Sequence, residues 1–295
     1  MPNNFIISLL LLSGLLANSQ QSIASAGRAS QQTGILWKIE KSGLKASYIL
    51  GTVHSDDSRI ISLTNKFRQQ LLKADSFTAE LKLDQFSNRQ ASQLMYLPAG
   101  KTLESLIGKQ RYLACVRLLA QYGIAETVAN RMKPWAVVVT LSMPKSSTGM
   151  VMDHRLYMEA ELAGKKTYGL ETSHEQVAVF ESFSIRDQII MLDDAIDEFD
   201  RLPAIFDELV HYYLQRDLTG LERLGDKYMM QGNSPIARSF KKRALLDRNY
   251  RMVRRMKPRL LEGNSFIAVG ALHLPGEEGI LRLLEREGYQ LTPVY

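Results

Sequence analysis

The chain has 295 residues, a formal net charge of +6 and 45% hydrophobic residues. This length and apolar content are typical of a globular domain with a sizeable core, and they exclude a small scaffold held together by disulfides. The single cysteine, Cys115, cannot form an internal disulfide, and its apolar helical surroundings predict a buried packing thiol rather than a nucleophile.

The N-terminal residues have the pattern of a secretory signal peptide. Phe5 to Leu16 is an apolar run, and Ala24-Ser25-Ala26 is a small-residue cleavage site. We therefore expect residues 1–26 to be removed and residues 27–295 to form a single secreted or periplasmic domain. An uncleaved N-terminal anchor is the alternative. No later stretch is long and apolar enough to cross a bilayer, so we expect no stable membrane insertion of the mature chain.

Basic residues are concentrated in one region. Arg238 to Arg259 contains ten Lys or Arg residues and one acidic residue, Asp247. Such a cluster can bind nucleic acid or a membrane surface, but no recognisable nucleic-acid-binding module accompanies it. We interpret it as the solvated face of a helix and expect no nucleic-acid partner.

The predicted elements begin with a hairpin. Apolar and polar residues alternate in Trp37–Glu40, and the sequence is again mostly apolar in Lys45–Leu50. The turn signal Ser42-Gly43 separates these two strand candidates. Asn65–Lys73 has one apolar face, which predicts a helix, and Ser76–Leu83 predicts the next strand. The order strand, helix, strand is typical of a parallel sheet.

Most of the remaining chain has a helical pattern, with short strand candidates between the helices. Helices are predicted over Gln85–Ala136, Asp153–Ala163, Glu175–Arg259 and Gly279–Glu287, strands over Lys166–Leu170, Ser265–Val269 and Tyr289–Val294, and Val137–Leu141 suits either a strand or a buried helix. The pattern predicts an α/β (α+β) fold with a mixed, largely parallel central sheet and a large helical insertion.

Two tetrapeptides with the same frame follow strand candidates near opposite ends of the chain. They are Gly51-Thr52-Val53-His54 and Gly270-Ala271-Leu272-His273. A glycine at a strand end allows a sharp exit, and a histidine after it can project from the strand tip, where open α/β sheets bind ligands. If the two tips meet, the histidines form a proton-transfer or metal site.

Two glutamates can join the histidines at the same edge of the sheet. Glu80 lies in a strand candidate, and Glu171 follows another. Two imidazoles and a carboxylate suit Zn²⁺, Mn²⁺ or a similar ion, whereas a metal-free site would use one histidine as general base. Glu80 could instead face solvent on an edge strand, and Glu171 could only begin a helix. Asp153 likewise could be only a helix N-cap.

Arg248 lies on the apolar stripe of its predicted helix, with Ala244, Leu245 and Met252 as neighbours. A cation on a buried face needs a partner, which a carboxylate or a substrate anion would supply, unless the side chain extends to solvent. His154 and His211 fall in helices and are expected to be structural or surface residues. No dinucleotide-binding or phosphate-loop glycine pattern occurs, so we expect no nucleotide cofactor.

The ordered set of motifs resembles the TraB/GumN family, which includes the pheromone-shutdown proteins and the TIKI proteases, and most resembles its bacterial GumN-like branch. The resemblance runs from about Trp37 to Val294. It rests on Leu36-Trp37-Lys38, Leu50-Gly51-Thr52-Val53-His54, Ala79-Glu80-Leu81, Asp153-His154-Arg155-Leu156, Gly169-Leu170-Glu171-Thr172, Glu175-Gln176, Arg248-Asn249 and Val269-Gly270-Ala271-Leu272-His273-Leu274.

The resemblance implies a compact α/β core related to erythromycin esterases and a hydrolase site. The family's paired histidines carry over to His54 and His273, its strand glutamate to Glu80 and its helical arginine to Arg248. Because TIKI proteins are regarded as metal-dependent peptidases, the resemblance implies Mn²⁺ or Co²⁺ held by His54, Glu80 and His273. Three further residues are implied to support this site or contact the substrate: Asp153, Glu171 and Asn249.

Three functions follow as hypotheses. The first is an exported hydrolase, a metal-dependent peptidase that acts on a peptide or another small substrate, with Arg248 binding a substrate carboxylate or the developing oxyanion. The second is a non-catalytic protein that sequesters a peptide or similar ligand in the same cleft. The third is a metal-independent, esterase-like hydrolase with His54 as general base.

Overall fold

A computed structural model describes residues 32–82, 92–146, 148–229 and 234–295. Within these residues the strands form one six-stranded sheet in the order β4-β3-β5-β2-β1-β6. The strands are β1 (Leu36–Glu40), β2 (Ser47–Thr52), β3 (Ser76–Leu81), β4 (Lys166–Glu171), β5 (Ser265–Gly270) and β6 (Gln290–Pro293). The predicted signal peptide and the predicted start of the Gln85–Ala136 helical region lie outside the described residues.

The centre of the sheet is parallel and one side of it is antiparallel. β5 pairs in parallel with both β2 and β3, and β3 pairs in parallel with β4. β1 is antiparallel to β2 and to β6, which gives the predicted N-terminal hairpin and closing strand. The prediction of a mixed, largely parallel sheet is confirmed. Because β3 has a neighbour on each side, the alternative that Glu80 lies on an edge strand is wrong.

Helices surround the sheet and form most of the rest of the described chain. Their bounds are α1 (Ser58–Lys73), α2 (Leu103–Ile107), α3 (Lys109–Ala120), α4 (Glu126–Ala129), α5 (Pro134–Leu141), α6 (Met152–Leu162), α7 (Ser173–Glu181), α8 (Ile185–Asp197), α9 (Leu202–Leu214), α10 (Leu218–Met229), α11 (Pro235–Lys241), α12 (Asp247–Glu262) and α13 (Ile280–Arg286). A π-helical turn, Lys242–Leu246, joins α11 to α12. None of the helices in the described ranges is long and apolar enough to span a membrane.

Two helix predictions are refined by the structure. α1 begins earlier than predicted because the carboxylate of Asp57 caps it, accepting a hydrogen bond from the backbone N–H of Arg59. Val137–Leu141 belongs to helix α5, which starts at Pro134 and is buried on every side. A helix that is apolar all round gives no periodic signal, so its sequence pattern could not separate it from a buried strand.

Most buried apolar residues in the described part of the chain belong to two clusters. One surrounds the sheet, where the rings of Phe77 and Phe266 stack with centroids 6.1 Å apart. The other lies among the helices, where Trp135 stacks on Phe180 at 5.5 Å. Cys115 is buried in the helical cluster, and burial, helped by the charge of Asp193, raises the pKa of its thiol to about 12. Cys115 is therefore a packing residue, as predicted.

The helical segment from α11 to α12 joins the two clusters. Phe240 and Ala244 pack in the helical cluster, whereas Met252 and Met256 pack against the sheet. Arg248 lies between these two pairs in sequence and is fully buried. Its side chain is therefore held where the two cores meet.

We expect Gly51→Ala to destabilise the fold by about 1–3 kcal/mol, because overpacking in a close-packed core costs roughly this much. A Cβ at Gly51 would lie 2.8 Å from Leu274 Cδ1 and 3.0 Å from Ala271 Cα. Gly225→Ala is the matched control. Its Cβ would meet only Leu272 side-chain atoms, the nearest at 3.3 Å, and alanine favours the helix. Urea unfolding measures both, and equal stabilities for the two variants would contradict the prediction.

Candidate active site

The two glycine–histidine motifs lie side by side at the carboxyl ends of neighbouring parallel strands. In the register of β2 and β5, Gly51 is opposite Val269 and Thr52 is opposite Gly270. The close contact of Gly51 with Ala271 and Leu274 packs the first motif directly against the second. His54 and His273 therefore leave the same edge of the sheet from adjacent strands, although they are far apart in sequence.

Glu80 joins the second motif to the next strand. Its Oε1 atom accepts a hydrogen bond of 2.6 Å from the backbone N–H of Gly270. A Cβ at Gly270 would lie 3.1 Å from this oxygen, so the glycine lets the carboxylate approach closely. The same oxygen lies 3.7 Å from Nε2 of His273. Glu80 is therefore placed beside the second histidine.

His273 is buried and has a defined tautomer. Its Nδ1 atom lies 2.6 Å from Oδ1 of Asn249, and Nδ2 of Asn249 donates to the Glu278 carbonyl at 2.8 Å. This second bond fixes the orientation of the amide, so Nδ1 of His273 is the donor and Nε2 keeps the lone pair. Burial, and next the positive charge of Arg248, hold the pKa of His273 well below its usual value. The ring is therefore a neutral base whose accepting atom is Nε2.

His54 has a carboxylate partner instead of an amide. Its Nδ1 atom lies 3.5 Å from Oδ2 of Asp153, and Oγ1 of Thr52 donates to Oδ1 of Asp153 at 2.5 Å. Burial acts to raise the pKa of Asp153, but the hydrogen bonds and charge of His54, with the bond from Thr52, lower it overall. The alternative that Asp153 is an N-cap is wrong, because Val151 is the cap residue of α6.

Arg248 is held by two carboxylates. Its Nε atom donates to Oε2 of Glu171 at 2.9 Å, and its Nη2 atom lies 2.6 Å from Oε2 of Glu80. Although burial by itself lowers the pKa of a guanidinium, the two carboxylates raise that of Arg248 overall. Arg251 adds a second cation 3.3 Å from Glu171 Oε1. The Arg248 side chain is fully buried and does not extend to solvent.

Glu171 is the last residue of β4 and does not begin the next helix. Thr172 caps α7 through a reciprocal pair of hydrogen bonds with Glu175. The alternative that Glu171 serves only as a helix start is therefore wrong. The Glu171 carboxylate instead contacts Arg248 and accepts from Gln176 Nε2 at 3.3 Å, and the same amide nitrogen donates to Glu80 at 3.3 Å.

The π-helical turn before α12 supplies another partner for Arg248. Within it the backbone N–H of Asp247 donates to the Lys242 carbonyl, five residues earlier. The Ala244 carbonyl, four residues before Arg248, accepts from Nη1 of Arg248 at 3.2 Å. π-turns are often found at functional sites. This one lies where the helix passes from one apolar cluster to the other.

The predicted metal ligands are brought near one another, but they are not arranged as a ligand set. In the described parts of the chain no group of three or more His, Cys, Asp or Glu side chains is placed to hold a metal ion. Both Glu80 oxygens bond to protein groups, Gly270 through Oε1 and Arg248 through Oε2. His54 is turned toward Asp153. The described side chains are therefore not assembled as a complete ligand set, and metal binding by His54, Glu80 and His273 stays a prediction.

The sequence reasoning missed two polar partners of the site. Gln176 bridges Glu80 and Glu171, and Thr52 orients Asp153. Thr52 lies inside the first glycine–histidine motif, so its position was a usable signal. Gln176 lies in Glu175-Gln176, one of the segments that carry the family resemblance, so the resemblance marked its position although the helical pattern gave it no role.

Comparison with known proteins identifies the family. Residues 35–293 match the model of the TraB/PrgY/gumN family, so the chain belongs to this family. The chain is 24% identical to metalloprotease TIKI1 of Danio rerio, over 89% of this chain and 63% of the relative. It is also 24% identical to human metalloprotease TIKI1, over 89% of this chain and 62% of the relative. It is 20% identical to the uncharacterized protein YbaP of Shigella flexneri, over 90% of this chain and 97% of YbaP.

These relatives bear on function to different degrees. The named members of the family include metalloproteases, which agrees with the predicted hydrolase class. The chain spans less than two thirds of the length of the TIKI1 proteins. YbaP, in contrast, is matched over almost its whole length.

We expect Arg248→Leu to lower the free energy of unfolding by about 3–5 kcal/mol near neutral pH, because removing one partner of a buried ion pair leaves uncompensated charge. Glu80 and Glu171 would then be left without the cation that pairs with both of them.

Urea unfolding near neutral pH measures the effect of Arg248→Leu. Arg254→Leu is the control, because Arg254 lies on the same helix but is exposed. A loss for Arg248→Leu no larger than that of the control would show that the buried cation is not needed.

The depressed pKa of His273 predicts a pH dependence of stability. The unfolded imidazole takes up a proton below about pH 6.5, whereas the folded one stays neutral. The free energy of unfolding should therefore fall as the pH drops below that value, by up to about 1.4 kcal/mol per pH unit. His273→Gln should reduce this slope. The control His211→Gln should leave the contribution of His273 to the slope unchanged. An NMR titration in which His273 ionises near pH 6.5 would contradict the prediction.

Proposed function

We propose that this protein is an exported hydrolase that cleaves peptide bonds, with His54 and His273 as its reacting side chains. The observation that carries the proposal is the placement of two differently supported histidines at the ends of adjacent parallel strands. The names of the TIKI relatives support the peptidase class. The N-terminal apolar run and small-residue cleavage pattern support export.

The proposed roles of the two histidines differ because their surroundings differ. Neutral His273, with its lone pair on Nε2, is suited to take a proton from the attacking water. His54 is oriented by the Asp153 carboxylate, and in this proposal it returns a proton to the leaving amine. Arg248 and Gln176 hold Glu80 in place beside His273. In this proposal Arg248 is a positioning residue, because its donors are used within the protein.

Dependence on a divalent metal is part of the proposal and rests on the names of the relatives. When bound, Mn²⁺, Co²⁺ or Zn²⁺ would activate water and polarise the carbonyl. The described side chains present no complete ligand set, so the proton transfers above use protein groups alone. A peptide-sequestering protein and a metal-independent esterase-like enzyme remain the two competing functions.

Digestion of a peptide library by the purified protein tests the proposal. Cleavage should occur, and His54→Ala and His273→Ala should each lower it by at least about 100-fold, as expected for loss of a general acid or base. His211→Ala is the control, because His211 contacts Gln215 on an exposed surface. Parallel reactions contain a chelator or added Mn²⁺, Co²⁺ or Zn²⁺.

The outcomes separate the three functions. Cleavage that stops in chelator and returns with metal supports a metallopeptidase. Hydrolysis that persists in chelator but is lost in His54→Ala supports the metal-independent enzyme. Peptide binding that survives both substitutions, without any turnover, would replace the hydrolase proposal with the sequestering protein.

A further inference from the structure

A cavity of about 270 Å³ lies next to the residue that orients His273. It is lined by residues of α10, α11, the π-helical turn and α12 and by the segment from Leu272 to Gly279, and Lys241 is the lysine in this lining. Asn249, whose Oδ1 contacts His273 Nδ1, is one of its lining residues. Its apolar wall is formed by Leu245, Leu246, Leu272 and Pro275. Whole small-molecule sites usually measure about 300–1,000 Å³, so this cavity is of a size for one side chain.

Four carboxylates of the described residues line the cavity, and Glu222 differs from the other three in its lack of a bonded partner among those residues. Asp226 is paired with Lys241, Glu277 with Arg286, and Glu278 accepts a hydrogen bond from Tyr250. Glu222 has no hydrogen bond or ion pair to any residue that the structure describes. It is half-buried, and its desolvation, and next the negative charge of Asp226, raise its pKa more than the positive charges of Lys241 and Arg223 lower it. A cation in direct contact with Glu222 would offset the desolvation of its charged form.

Glu222 is also fixed relative to the second glycine–histidine motif. A Cβ at Gly276 would overlap Oε1 of Glu222, so the carboxylate lies directly on the loop that follows His273. Gly225, one turn along α10, packs against the Leu272 side chain of the motif itself. The unpaired carboxylate and the apolar wall therefore belong to one cavity, built against the segment that carries His273.

We propose that this cavity is a specificity subsite for a lysine or arginine side chain of a peptide substrate. The inference rests on the proposed function and adds to it the class of peptide that is preferred. The methylene groups of the basic side chain lie along Leu245, Leu246 and Leu272, and its cationic end contacts Glu222. A neutral side chain of the same length can fill the apolar part but leaves Glu222 without a partner.

Matched peptides that differ at one position test the subsite. A lysine peptide is compared with its norleucine analogue, which keeps the methylene groups and lacks the charge, at each position of a cleaved sequence. At one position kcat/KM should favour lysine by about fivefold, the effect of a half-exposed ion pair of roughly 1 kcal/mol. Glu222→Gln should bring that ratio close to one. Glu285→Gln, which removes an exposed carboxylate of α13, is the control and should keep it.

The result distinguishes failure of the subsite from failure of the enzyme. Cleavage without a lysine preference, or a preference that survives Glu222→Gln, would contradict the subsite but not the proposed hydrolase activity. If no peptide is cleaved, calorimetry of binding by the lysine and norleucine peptides tests the subsite independently of cleavage. Tighter binding of the lysine peptide that is lost in Glu222→Gln supports the subsite, and equal affinities overturn it.

Discussion

The buried guanidinium of Arg248 is the constraint on which the site depends. It binds Glu80 at the end of β3 and Glu171 at the end of β4, and it is carried by α12. Moving charges out of water costs several kcal/mol per ion, and the cost is offset only when the geometry is good and other hydrogen bonds complete it. Gly270, Gln176 and Ala244 provide those bonds. The cluster therefore fixes the relative positions of three strands and two helices, α7 and α12.

The parallel pairing of β2 with β5 connects the Arg248 cluster to the two histidines. Strands that run in the same direction end at the same edge, so the two histidines emerge together. The absence of a side chain at Gly51 lets the two turns pack closely against each other. Because Glu80 bonds to Gly270, the Arg248 cluster also fixes the backbone just before His273.

The sequence predicted those features of the site that depend on spacing along one segment. The repeated glycine–histidine frame marked two strand ends, and the helical spacing around Arg248 marked a cation on a buried face. Partners that meet only through tertiary contact left no such pattern. The Glu278 carbonyl that orients Asn249 is a backbone group, and the helical pattern around Gln176 does not indicate its contacts with Glu80 and Glu171. The π-helical turn also escaped prediction, because one extra residue per turn hardly changes a helical hydrophobic pattern.

One charge links the stability of the fold to the state of the proposed base. Arg248 neutralises two carboxylates, and the same positive charge is second only to burial in lowering the pKa of His273. Asp153 places a carboxylate oxygen 3.5 Å from Nδ1 of His54, whereas Nδ1 of His273 faces the amide oxygen of Asn249. The two histidines thus have different hydrogen-bond partners although their motifs share a frame. This difference arises from residues outside both motifs, so the repeated frame alone could not have assigned the two roles.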